Sequence, residues 1–303
     1  MKKTLEFSII LVSLILVISC TPLSPAGMAK EEETVHMKVG YISYISAHPL
    51  FIAQDRGIFS KHNLSVELVK FDSPIDVYNA LLTSKIDSGL GSTLQYYSIE
   101  KTSPGRLIPV YVSINDVLLI VPINSTIKDI RDLDNKKVGV VLGGPGLALV
   151  QKIGEIEGIK MNTVGISSEN QLITLMSGSV DALAITDPVA TIGARKKLSK
   201  VIQSQIYAKY FVDPFPPALV TMSSDFESTH PLAAERFKQA LDESIDYLRE
   251  NRQEALALLP AHIPIEIDIA LNLYPAEYWK SSEINSTLLG KQKDVFISLG
   301  LLD

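Results

Sequence analysis

Apolar residues are distributed along this chain in two ways. Between Phe7 and Ile18 they run together, whereas past Thr34 they come in short groups with the spacing of strands and helices. That spacing is written twice. The segments "MKVGYISYISAHPLFIAQDRGIF" and "KKVGVVLGGPGLALVQKIGEIEGI" each give Lys-Val-Gly, a short strand, a loop, an apolar helix and a closing glycine. Gly57 and Gly158 stand where a helix ends on a left-handed residue. A second strand follows in each copy; "LSVELVKF" alternates as a half-buried strand does, and "MNTVGIS" does so more weakly. "NALLTSKIDSGLGST" and "LITLMSGSVDALAITDP" then lead through Ile86-Asp87 and Val180-Asp181 into a third strand. Each half reads strand, helix, strand, helix, strand, which predicts a mostly parallel sheet flanked by helices through right-handed crossovers. The fold class expected is α/β with two lobes and a crevice between them.

After the second copy, "PPALVTMSSDF" has the composition of a strand. In "HPLAAERFKQALDESIDYLREN" Phe237, Leu241, Ile245 and Leu248 have the spacing of an amphipathic helix. More helix follows to the end, with too few strands for a third α/β unit, so the tail is expected to pack back on the first lobe. The chain would cross between lobes near Ser113–Val117 and near Pro217–Thr221, forming a hinge. Residues 36–115 with 220–303 then make the first lobe, and 116–219 the second.

The apolar run at the start follows Lys2 and Lys3, the layout of a secretory signal. It is short for a membrane span of roughly 20 residues. The chain's single cysteine comes directly after it, in "VISC". This resembles a bacterial lipobox, where the signal (1–19) is removed and Cys20 is acylated; the alternative is a plain signal or anchoring helix with an incidental cysteine. Residues 20–35, rich in Pro, Ser, Gly and charge, read as a tether. The expected location is extracytoplasmic, on the membrane through the lipid. A hydrophobic share of 46% and a charged share of 20% are those of a globular body. The net charge of -6 is spread out and offers no nucleic-acid surface.

Ligands of open parallel sheets bind outside the carboxyl ends of the strands. Two facing sheets bring together the loops at Ser43–Pro49, Gly91–Gln95, Gly143–Gly146 and Thr186–Pro188, with Ser113 and Asn115 on the hinge floor. The candidate ligand-binding residues are Ser43, Tyr44, Ser46, His48, Gly91, Ser92, Thr93, Asn115, Gly143, Gly144, Gly146 and Asp187. "GGPG" ahead of a helix either offers amide donors to a polar group or is an ordinary turn. Asp187 either receives an amine of the ligand or caps the helix after Pro188. His48 either donates to the ligand or packs beneath it. Tyr41, Tyr44, Tyr96, Tyr97, Tyr210 and Phe215 crowd the same region, where one or two could stack a flat ring. The four loops contain no Lys or Arg, so a small anion would rely on neutral donors. Five scattered histidines lack metal-ligand spacing, and no Gly-x-Ser-x-Gly elbow occurs. No metal, cofactor or catalytic residue is expected.

"SAHPLFIAQDRGIFSKHNLSVELVKF", "LLTSKIDSGLGST", "IRDLDNKKVGVVLGGPG" and "LMSGSVDALAITDP" together resemble one family of solute-binding proteins. It includes the nitrate, sulfonate and taurine receptors and the thiamine-pyrimidine receptors and synthases. The resemblance implies a type II periplasmic-binding fold and a monomer delivering a small solute to an ABC permease and its ATPase. The family's Glu-Pro or Asp-Pro after the second-lobe strand matches Asp187-Pro188. Its sulfonate members carry Gly-Ser-Ser where this chain has Gly143-Gly144-Pro145. Its pyrimidine synthases have a substrate histidine matching His48, but this chain lacks their cysteine-rich segment. The reading favoured is a lipid-anchored receptor for a small polar organic solute of aminopyrimidine, sulfonate, taurine or nitrate type. An enzyme on the same fold, acting on a pyrimidine or chorismate-like compound, and a sensor subunit of a membrane kinase are the alternatives.

Overall fold

The two Lys-Val-Gly segments become the first strands of two sheets. A computed structural model describes residues 33–115, 117–141, 145–167 and 170–302, and from Thr34 onward the chain is one compact unit. The first copy runs β1 (Val35–Tyr41), α1 (His48–Asp55), α2 (Ile58–Lys61), β2 (Leu64–Lys70), α3 (Pro74–Leu82), β3 (Ser88–Ser92), α4 (Thr93–Thr102) and β4 (Leu107–Ile114). The second contributes β5 (Leu118–Pro122), β6 (Lys137–Val141), α5 (Gly146–Glu157), β7 (Asn162–Ile166), α6 (Gln171–Met176), β8 (Ala182–Ile185), α7 (Val189–Arg195), β9 (Ser199–Gln203) and α8 (Ile206–Tyr210). The tail adds β10 (Ala218–Ser223), α9 (Ser224–Thr229), α10 (Pro231–Glu250), α11 (Arg252–Leu258), α12 (Ile267–Ala270), β11 (Glu277–Trp279) and α13 (Ser286–Ser298).

The first sheet has the order β11-β4-β10-β3-β1-β2 and the second β7-β6-β8-β5-β9. In both, the strand-helix-strand-helix-strand unit forms three parallel strands with its first strand in the middle. The next strand in each sheet, β10 or β5, is antiparallel and is the one by which the chain enters from the other lobe. The expected two-lobed architecture is therefore present. The sequence echo has a structural counterpart. The Asp87 carboxylate accepts from the Lys38 backbone N–H at 2.8 Å, and that of Asp181 accepts from the Lys137 N–H at 2.8 Å. Each carboxylate ties the start of the third strand to the Lys-Val-Gly of the first. Gly57 and Gly158 sit at φ 66 and 68, the left-handed turn expected of them.

Helix α10 buries Phe237, Leu241, Ile245 and Leu248 against the first sheet's core, with the Phe59 and Phe237 rings 5.9 Å apart. Helix α13 departs from the expectation that the whole tail returns to the first lobe. Its Leu289 and Phe296 join the cluster of the second sheet, beside Tyr207, Tyr210 and Phe215. The physical reason is an aromatic seam that needs covering: Phe296 packs edge-on to Phe215 at 6.0 Å. Buried Gln292 donates to the Pro216 carbonyl at 2.7 Å and accepts from the Tyr97 hydroxyl at 2.8 Å. The chain thus passes between the sheets a third time, after β11.

Candidate functional site

The first loop is set by two buried tyrosines. Tyr278 on β11 donates its hydroxyl to the Ile45 carbonyl at 2.6 Å, and Tyr111 on β4 donates to the Ser46 carbonyl at 2.7 Å. Both rings are fully buried, so the loop after β1 is held on a rigid floor. Above that floor, at the carboxyl ends of β1, β3, β6 and β8, lie two adjoining chambers. The inner one, about 140 Å³, is lined by the first loop, Gly91, Ser92, Asn115, Thr186, Asp187, Pro217 and Ala218. The outer one, about 570 Å³, is lined by Ser73 to Ile75, Ser92 to Gln95, Val141, Pro145, Tyr207, Phe215 and Phe296. Tyr44, Pro74, Ser92, Thr186 and Pro217 border both.

Of the candidates, Tyr44, Ser46, Gly91, Ser92, Thr93, Asn115 and Asp187 line these chambers. Gly143, Gly144 and Cys20 lie outside the described residues. His48, Gly146 and Ser43 lie outside this lining. His48 is buried, with Nε2 2.8 Å from the Ala255 carbonyl of α11. It faces a small void beside Arg252 and Tyr278 and borders neither of the two chambers. Burial pushes its imidazole down to about 4, and the nearby Arg252 and His262 add to the effect against the Ala255 hydrogen bond; the ring is a neutral packing group. Gly146 opens α5 and lies close over β6, where a Cβ would come 2.9 Å from Val140 Cβ. Ser43 borders neither chamber, although its buried Oγ has no partner among the described residues.

Asp187 borders the inner chamber, but protein donors take up both its oxygens. Oδ1 accepts from the Thr191 backbone N–H at 3.0 Å, and Oδ2 from the Tyr274 N–H at 2.6 Å. The Thr191 hydroxyl lies 3.0 Å from each. The carboxylate caps α7 and ties it to the segment before β11. Burial raises its pKa above the usual carboxylate range, opposed by the Tyr274 and Thr191 hydrogen bonds. The hydroxyls of "GST" are likewise engaged: Ser92 Oγ caps α4 by accepting from Gln95 N–H, and Thr93 Oγ1 donates to the Pro216 carbonyl at 2.9 Å. Among the predicted aromatics, Tyr44 and Phe215 reach the chambers, while Tyr97 and Tyr210 direct their hydroxyls to Gln292 and Glu157.

Asn115 lines the inner chamber and Gln95 the outer, and their side-chain oxygens are buried with no partner among the described residues. Apart from Asp187, the described lining holds no Asp, Glu, Lys, Arg or His. Sequence reasoning missed Ser73 to Ile75, at the α3 N-terminus, although Ser-Pro there is a helix-start signal and Ser73 does cap the helix. Phe296, distant in sequence, carried no signal.

The family model described as NMT1/THI5 like matches residues 45–255. The chain belongs to the NMT1/THI5-like family. A Haemophilus influenzae protein named for thiamine biosynthesis is 24% identical over 233 residues, covering 74% of this chain and 71% of that protein. A Bacillus subtilis protein named as an aliphatic sulfonates-binding protein is 24% identical over 276 residues, covering 85% of this chain and 77% of its own. The fold matches that of the periplasmic aliphatic sulphonate binding protein SsuA of Escherichia coli at TM-score 0.73 and 17% identity, covering 88% of each chain. In this NMT1/THI5-like chain no described helix is long and apolar enough to cross a membrane.

Proposed function

We propose that this family member is the solute-binding component of an ABC importer, working outside the cytoplasm as a monomer tethered through lipidated Cys20. It closes its lobes on a small organic solute and presents it to a permease and its ATPase. The observation that carries this reading is the pair of chambers walled by both sheets, at the points where the chain crosses between them. Such a site opens and shuts with the hinge. The family relatives named for sulfonate binding and thiamine biosynthesis support a solute of that general range. With no cation in the described lining and the Tyr44 and Phe215 rings at its walls, a neutral flat ring, of aminopyrimidine type, suits the cleft better than nitrate or a sulfonate.

The test is a thermal-shift panel on residues 31–303 with aminopyrimidines, alkanesulfonates, taurine and nitrate, together with mass spectrometry of what the denatured protein releases. A ligand at 100 times its dissociation constant adds about 2.7 kcal/mol, or about 5–10 °C for a chain near this size. A chemically unchanged ligand is expected; an altered one would make the protein an enzyme. For the anchor, Cys20→Ser is expected to abolish lipid labelling, and labelling that persists would refute it.

A further inference from the structure

The two lobes also meet along a seam between helix α7 of the second and the segment 266–274 of the first. At its inner end Asp187, ahead of α7, accepts from the Tyr274 N–H at 2.6 Å. In the middle Ile192 packs, half-buried, against the first sheet's cluster, which includes Ile269 and Ala270 of α12. At the outer end Arg195 donates to Asp268 through Nε at 2.8 Å and through a second guanidinium nitrogen, and Lys196 Nζ lies 3.8 Å from Glu266. These four charged residues line neither chamber.

The two ends differ in place and in strength. Ile185, two residues before Asp187, pairs with Leu118 just past one lobe crossing, and Glu277, three residues after Tyr274, pairs with Ile114 just before it. The inner end therefore lies beside the hinge. Its hydrogen bond is buried and charged, the kind that is hard to break. The outer end is farther away by the seven residues of α7, about 10 Å of helix. Its side chains are about half exposed or more, and such pairs are weak and screened by salt. Movement about the hinge parts the outer end first.

We propose that the Arg195–Asp268 and Lys196–Glu266 pairs form a salt-sensitive latch that holds the lobes in the arrangement described, with the Asp187–Tyr274 bond as its pivot. This rests on the lobe-closing reading and adds a control to it: residues outside the chambers set how readily the cleft opens.

The experiment uses residues 31–303, a stretch without cysteine, spin-labelled at Asn79→Cys on α3 and Gln151→Cys on α5, exposed positions on opposite lobes. Double electron–electron resonance reads the distance between the labels with no ligand added. Asp268→Arg is expected to raise the ratio of long to short distances at least about threefold, the scale of an exposed pair. Combining it with Arg195→Asp is expected to bring the ratio back, and about 0.5 M sodium chloride to raise it in the parent. Calorimetry confirms that each variant is folded. Arg195→Gln, which removes the pair without adding repulsion, is expected to raise the ratio by less. A ratio unchanged by Asp268→Arg, or still raised in the double reversal, would overturn the latch and leave lobe movement intact. One fixed distance in the parent and every variant would overturn both. Failure of the receptor reading has a different signature, a chemically altered compound released on denaturation.

Discussion

Replacing Asp187 by asparagine tests whether its carboxylate belongs to the fold or to the ligand. Three donors converge on it: the backbone N–H groups of Thr191 and Tyr274 and the Thr191 hydroxyl. A carboxylate accepts all three, whereas an amide presents one oxygen and turns an NH2 group toward at least one donor. The site is buried, with Asp187 only 8% exposed, so water does not replace the lost bond. A donor left unsatisfied there costs about 1–3 kcal/mol, and relief from burying a charge offsets part of it. For a chain near this size that is a fall in Tm of about 2–10 °C. Calorimetry with and without ligand, paired with isothermal titration, measures both quantities. The expected result is lower stability with affinity changed less than about threefold, or under ~0.7 kcal/mol. A Tm within about 1 °C of the parent, with affinity down tenfold or more, would show the ligand, not Thr191 and Tyr274, to be the carboxylate's partner.

Three further outcomes are expected. Because the His48 imidazole is held at about 4 in the fold and titrates near 6.5 when unfolded, the unfolded chain takes up a proton that the native state refuses. Stability therefore falls as pH drops from about 6.5 toward 4, by up to about 3 kcal/mol; urea titrations should show this slope reduced in His48→Gln, and an unchanged slope would contradict it. Gly91→Ala should destabilise by about 1–3 kcal/mol or more, because its Cβ would lie 2.2 Å from the Tyr78 ring; denaturation at parental stability would show that α3 yields. Arg195 and Asp268 pair across α7 and α12 through two hydrogen bonds but are half-exposed, so a double-mutant cycle should give a coupling of at most about 1 kcal/mol that shrinks in high salt.

The periodicity of the chain was enough to determine the repeated α/β unit and the parallel core of each sheet. The echo of Lys38-Val39-Gly40 with Asp87 in Lys137-Val138-Gly139 with Asp181 is visible in the sequence because both copies repeat the same unit, and the structure adds the hydrogen bond that joins the two ends of each echo. The carboxyl-end rule likewise located most of the crevice, because parallel strands aim their following loops to one side. Tertiary structure alone decided how the individual polar groups are used. One oxygen of Asp187 accepts from the Tyr274 N–H, 87 positions away. His48 was drawn inward by a carbonyl on α11, 207 positions away. Helix α13 covers the second sheet's aromatic seam because Phe296 and Gln292 find partners there. Hydrogen bonds and ring contacts of such separation leave no periodic trace in sequence, since any buried donor or apolar face is satisfied by whichever partner the fold brings within a few ångströms.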